Sequence, residues 1–433
     1  MNESIVMQDP ILSLLSTSDA NHLILGEIRA NARQSAEQLG IPTTKHEEWK
    51  YSSVAKWIKT PFTQHEGNLV AVTSHVETRQ FPNLGGPTLT FINGRFVASL
   101  SDLGVESTHI TVQTFADVLG QGETWIQDYF GKLSNDSTDY FAALNTAFAE
   151  DGVVIRVGDR VVMDKPILIR HLQDASADSV MSQVRHLVVI GEGAEVQLVE
   201  HFDAFGENQA FTNACTEIFL GKKSHVQYYK IQEGSDLSYH IGTTEVHQSD
   251  ASYCYSATVT LDGQFTRNNL HLAVDGSHID GFMYGLYLPN KKQHVDNHTL
   301  VDHLKPLSQS NELYKGILQD QSTGVFNGKI FVREDAQKTN AYQNCRNVVL
   351  SDNATMNTKP QLEIWADDVK CSHGTTTGQL NDEVIFYMQS RGIPKSEAIR
   401  LQLLAFAGDV ISQIKNEALQ AYVEHRMTEK LSS

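Results

Sequence analysis

"VRHLVVIGEGAEVQLVEHF", residues 184–202, places two apolar, β-branched runs on either side of Gly191–Ala194. Turn-prone Gly193 precedes small Ala194, and an alternating run follows, as a strand, corner, strand unit requires. The same order returns at Lys223-Ser224, Asp250-Ala251, Gly276-Ser277, Gln321-Ser322, Asp335-Ala336 and Asn353-Ala354. The small residues are spaced by 30, 27 and 26 residues and then by 45, 14 and 18. A coiled sheet needs a tight corner and a small inward side chain at each turn, and each rung buries its apolar face only by stacking on the next. The pattern favours a parallel β-helix, with a large β-sandwich as rival.

The flanks read differently. "HLILGEIRANARQSAEQLG" spaces Leu23, Ile24, Ile28, Ala32, Ala36 and Leu39 as a helix that Gly40 stops. Thr44 and Glu47 have capping-box spacing, and Trp49 and Trp57 are expected to anchor a core from one helix face. Asn93-Gly94 within "TLTFINGRFVASL" predicts a tight hairpin. "DYFAALNTAFAEDG" returns to helix, ended by Gly152. After the β-rich region, "NDEVIFYMQSRG" and "PKSEAIRLQLLAFAGDVISQI" predict helices, with Pro394 in a first turn, and "KNEALQAYVEHRMTEKL" completes a helical tail. Ile399, Leu403, Leu404, Phe406 and Ile411 would line a docking groove or pack on the β-domain. The division expected is 1–150, mostly helical with a hairpin; 151–375, β-helix core; and 376–433, helical.

Composition narrows function. The 433 residues carry 34 Lys and Arg against 52 Asp and Glu, a net charge of −18, which opposes wrapping nucleic acid or lying on an anionic membrane. The N-terminus has no secretory pattern, no apolar run is long enough to span a bilayer, and Cys215, Cys254, Cys345 and Cys371 are dispersed. A cytoplasmic protein with reduced thiols is expected.

Nucleotide chemistry finds no support. Gly221-Lys222 lacks the earlier glycine of a phosphate loop, and "GVFNGKI" ends in Ile330 where a hydroxyl would meet magnesium. "VIGEGAEV" reads as a corner rather than a dinucleotide fingerprint. His240, His247, His294, His298 and His303 read as a surface rim on stacked strands, with His294 and His298 on one face. "DDVKCSHGTTTGQ", residues 367–379, sets Cys371 and His373 two apart, so an extended chain points both the same way. Both can ligate borderline metals, yet two donors leave a site incomplete. Cys345, another chain, or plain burial of the thiol are the open alternatives.

"TKPQLEIWADDVKCSHGTTTGQLNDEVIFYMQSRGI", residues 358–393, and "GIPTTKHEEWKYSS", residues 40–53, resemble the SufB/SufD family of the Suf iron–sulfur cluster assembly scaffold. "CSH" stands where SufB is acidic, which favours the SufD branch. The resemblance implies a mainly β fold: a right-handed parallel β-helix core flanked by an N-terminal mixed domain and a C-terminal helical domain. It implies a non-catalytic scaffold subunit that pairs with a SufB-like subunit and a SufC-like ATPase, the latter docking on the helical tail. It places His373 at the subunit junction, where a transient iron–sulfur cluster is shared with a cysteine and a glutamate of SufB, and matches Cys371 to the neighbouring cysteine. No nucleotide is expected on this chain, and flavin is unassigned. The isolated chain could form a homo-oligomer. The alternative function is a β-helix enzyme acting on a polymer such as a carbohydrate through Asp262, Asp275 and Asp280.

Overall fold

A computed structural model describes residues 9–15, 25–104, 109–149 and 151–432. From Asp151 to Gly378 the chain alternates between two sheets of almost entirely parallel strands, one nine-stranded and one ten-stranded. Successive strands never pair with each other; each pairs with the next strand but one. This is a parallel β-solenoid, not a sandwich, whose sheets would be built from antiparallel neighbours.

The register gives the coil length directly. Val184 lies opposite Ala214, Ala214 opposite Gly242, Gly242 opposite Asn268, Asn268 opposite Asn297, Asn297 opposite Phe326, and Phe326 opposite Thr358. The coils are therefore 30, 28, 26, 29, 29 and 32 residues long. Corners leading from the nine-stranded to the ten-stranded sheet hold a left-handed residue: Gly193, Lys223, Ala251, His278, Leu307 and Lys338. A buried residue follows each one: Ala194, Ser224, Ser252, Ile279, Ser308 and Thr339. At three corners the residue after the left-handed one is not the expected small one: Ser252 follows Ala251, Ile279 takes the place of Ser277, and Thr339 that of Ala336, which is itself buried. Gly191–Ala194 is a corner, as read from the sequence.

The inner faces of the two sheets enclose an apolar layer with polar side chains beside it, and other segments cover much of the outer faces. Val188, Ile218, Val246, Leu272 and Val301 build the inner core. The N-terminal region covers the nine-stranded sheet, where Trp57 packs on Phe211, Tyr239 and Phe265 with ring centroids 4.8–5.7 Å apart. Trp49 is a core anchor too, but the two tryptophans sit on separate short 3-10 turns, Glu47–Trp49 and Trp57–Lys59. The Thr44–Glu47 capping box is absent, since His46 occupies the cap position without a side-chain bond. Helix Gly26–Leu39 stops at Gly40, as expected; Leu23 and Ile24 lie outside the described residues.

Helix Tyr140–Phe148 ends before Gly152, which lies inside strand Asp151–Val157. A Cβ at Gly152 would stand 1.6 Å from the Arg185 carbonyl oxygen, so the glycine serves close strand approach, not helix termination. Helices Asp382–Ser390, Lys395–Ile411 and Glu417–Ser432 follow the solenoid, and the last two cover the ten-stranded sheet. Asn381 caps the first by accepting from the Glu383 and Val384 amides, and Pro394 is the cap of the second, one place before the first turn.

The two ends of the stack differ. At the N-terminal end, hairpin Thr88–Ile92/Arg95–Phe96 closes the ten-stranded sheet, turning at Asn93-Gly94 as predicted. Strand Ile110–Thr114 closes the nine-stranded sheet in antiparallel pairing. At the C-terminal end the sheets stop at Thr355–Ile364 and Lys370–Gly378, and no further described strand pairs with either. Both strands are half-buried or exposed along their whole length.

Candidate functional site

Cys371 and His373 lie on the outermost strand of the ten-stranded sheet, at this open end. Cys371 is in register with Ala341 and His373 with Gln343. Ala341, Gln343, Cys345 and Asn347 are buried and face the interior, whereas Tyr342 and Arg346 are exposed. Cys371 and His373 therefore share the lumen-facing parity, as their spacing predicts, on the outermost described rung.

The two side chains have different surroundings. Cys371 is half-buried against a small cluster with Ile330, Val332, Ala341 and Ala366, and burial pushes its thiol up, away from thiolate. His373 is exposed and makes no hydrogen bond within the described residues. It is the freer donor of the pair. Cys345 does not complete the site: it is in register with Thr375, four residues along from Cys371, or about 13 Å at strand rise. Burial pushes the Cys345 thiol up to about 12, while Asn347 Nδ2 donates to its sulfur at 3.3 Å. Among the described residues, no three His, Cys, Asp or Glu side chains gather to hold a metal ion. The donor set present, an imidazole and a weakly acidic thiol, suits iron only as a minority partner in a larger ligand sphere.

The other histidines are not a surface rim. His294 and His298 share one face, but that face is covered by the N-terminal segment. His294 Nε2 lies 2.8 Å from Ser52 Oγ, and His298 lies 3.3 Å from Glu48 and 2.9 Å from Asp296. Burial pushes the His294 imidazole down. His240 and His303 are buried in the lumen, whereas His247 keeps a partly exposed bond to Asp275. Asp262 and Asp280, two of the acids expected to cleave a polymer, do not form a dyad either. Asp262 pairs with Lys430 at one end of its strand, while Asp280 bonds Gln309 at the opposite end of the neighbouring one. A glycosidase pair would stand within about 10 Å.

Sequence reading missed the residues behind His373. Glu312, Gln343 and His373 occupy one register column on three successive strands of the ten-stranded sheet. Gln343 Nε2 donates to Glu312 Oε2 at 2.8 Å, both side chains are buried, and burial pushes the Glu312 carboxyl up to about 7. The available signal was a Glu and a Gln at alternate, inward positions of their strands, beside Tyr314 and Cys345.

Together these give a parallel solenoid with an exposed imidazole on its outermost described strand and helices on its flank. Residues 171–406 match the family described as "SUF system FeS cluster assembly, SufBD core domain", and residues 15–169 match "SufBD protein N-terminal region". The chain belongs to the SufBD family of the SUF iron–sulfur cluster assembly system. It is 30% identical to the iron–sulfur cluster assembly protein SufD of Escherichia coli over 92% of each chain. It is 32% identical to a SufBD family protein of Synechocystis, covering 91% of this chain and 89% of that one. Identity to SufD of Bacillus subtilis is 24%, over 92% and 91%. No described helix is long and apolar enough to cross a membrane.

Proposed function

We propose that this chain is the SufD-type, non-catalytic subunit of a cytoplasmic assembly scaffold that pairs with a SufB-like subunit through the open end of its solenoid. The observation that carries the reading is that both sheets stop at unpaired strands and His373 stands on one of them. Unpaired strand edges offer a row of amide donors and carbonyl acceptors, and a partner strand is what satisfies them without aggregation. Ile364 and Trp365 add exposed apolar area at the same end.

In this reading the iron–sulfur cluster is cargo. The partner contributes thiolate and carboxylate, His373 contributes a nitrogen donor suited to a cluster that must leave again, and Cys371 packs beside it. The absence of a phosphate loop from the sequence fits hydrolysis on a separate SufC-like ATPase. Helix Asp382–Ser390 supplies a docking face for it: Phe386 is 74% and Tyr387 59% exposed, with Val384 beside them. Leu403 and Phe406 are poor candidates, because Leu403 is buried against the solenoid and Phe406 packs on the same cluster.

Co-expression with a SufB-like chain and a SufC-like ATPase, followed by native mass spectrometry, tests the pairing. One copy of this chain per SufB-like chain is expected, and the isolated chain should self-associate through the same edge. A chain that stays monomeric in both settings contradicts the proposal.

A further inference from the structure

The Gln343 amide is held at one end and free at the other. Its Nε2 donates to Glu312, while its Oε1 is buried and has no hydrogen-bond partner. A buried acceptor left without a donor is destabilising, so the site favours a group that can donate to it. Across the lumen, a Cβ at Gly328 would come within 2.3 Å of Gln343 Nε2, so this glycine clears the space the amide occupies. Next in the column, on the open side, stands His373, a side chain of the same parity with a ring N–H to offer and no described partner.

We propose that Gln343, anchored by Glu312 and given room by Gly328, is the positioning residue whose free Oε1 accepts a hydrogen bond from His373 once the imidazole turns toward it, and so fixes which ring nitrogen faces the partner. The inference rests on the proposed role of His373 for its consequence, but not for its geometry. An imidazole has two nitrogens, and the one that keeps its proton cannot ligate. Ligating histidines ordinarily donate the other N–H to an acceptor behind them, which sets tautomer and ring orientation. Here the acceptor is an amide rather than a carboxylate, and its orientation is set in turn by the carboxyl one strand further back. Glu312 anchors from either protonation state, since its Oε2 accepts in both.

The test uses the assembled complex with nitrogen-15 histidine in this chain alone, examined by solid-state NMR. The His373 signals are those lost in His373→Asn. The wild type should show one His373 tautomer. Gln343→Met keeps the volume but removes the acceptor, and Gly328→Ala displaces the amide without touching either partner. Both should mix the tautomers and slow cluster formation about tenfold, which requires the complex to remain intact by native mass. Unchanged His373 signals in Gln343→Met overturn the inference, even if His373→Asn abolishes cluster formation. Mixed tautomers together with normal clusters in His373→Asn would support the hydrogen bond and overturn the proposed function instead.

Discussion

Lys315 Nζ lies 2.6 Å from Asp409 Oδ2, joining the ten-stranded sheet to helix Lys395–Ile411. The same ammonium donates to the Phe406 carbonyl at 2.6 Å and sits 4.4 Å from the Phe406 ring centroid. The lysine is buried while Asp409 is exposed, so the bond is a latch at the rim of an apolar interface. Lys315→Met should cost about 1–3 kcal/mol in urea unfolding, because the carbonyl loses its donor. A change within experimental error would show that the apolar contacts alone hold the helix.

Leu403 and Phe386 should separate folding from docking. Leu403→Ala removes a core side chain and is expected to cost about 2–5 kcal/mol of stability. Phe386→Ser with Tyr387→Ser should leave the melting temperature within about 2 °C and weaken ATPase binding at least about tenfold, measured by isothermal titration calorimetry. Equal ATPase affinity in the double variant places the docking face elsewhere.

Glu233 ties the C-terminal helix to the solenoid through pH. Burial alone would raise its carboxyl, but bonds from His201, Tyr422 and Arg426 outweigh burial and hold it down at about 2. A depressed acid stabilises above its unfolded value of about 4.5 and loses that contribution as pH falls toward 2, about 3 kcal/mol in all. Glu233→Gln should lower stability at pH 7 and flatten the acid limb of unfolding, read by denaturation from pH 2 to 7.

Glu312 has the opposite sign. Its raised carboxyl makes the folded chain hold a proton the unfolded chain has lost, so stability falls as pH climbs from about 4.5 to 7 and levels off above. Glu312→Gln should match the wild type at pH 4 and exceed it by about 2–3 kcal/mol at pH 8. A variant that is no more stable at pH 8 would mean the carboxyl is ionised and compensated.

The coiled sheet was legible because its corners repeat, and the irregular spacing has a physical origin. Each coil has two corners. Ala194, Ser224 and Ala251 mark one side of the stack, but Ser322 and Ala354 belong to the other, and the intervening corner at Leu307-Ser308 carries no sequence signal because leucine is no turn former. Leu307 adopts a left-handed backbone that only the stacked register imposes. Cys371 and His373 were placed on one face by spacing alone, since strand parity is local. The Gln343–Glu312 bond and the burial of Leu403 were not legible, because both depend on which rung lies next to which.

The proposed service of His373 to cluster formation, at a junction completed by the partner, is open to direct test. The most direct measurement supplies iron, a sulfur source, reductant and ATP to a complex carrying His373→Ala, with native mass confirming intact stoichiometry and visible absorption following the cluster. Selective loss of cluster formation, by at least about tenfold, is the predicted result. Clusters formed at the wild-type rate and yield would contradict it.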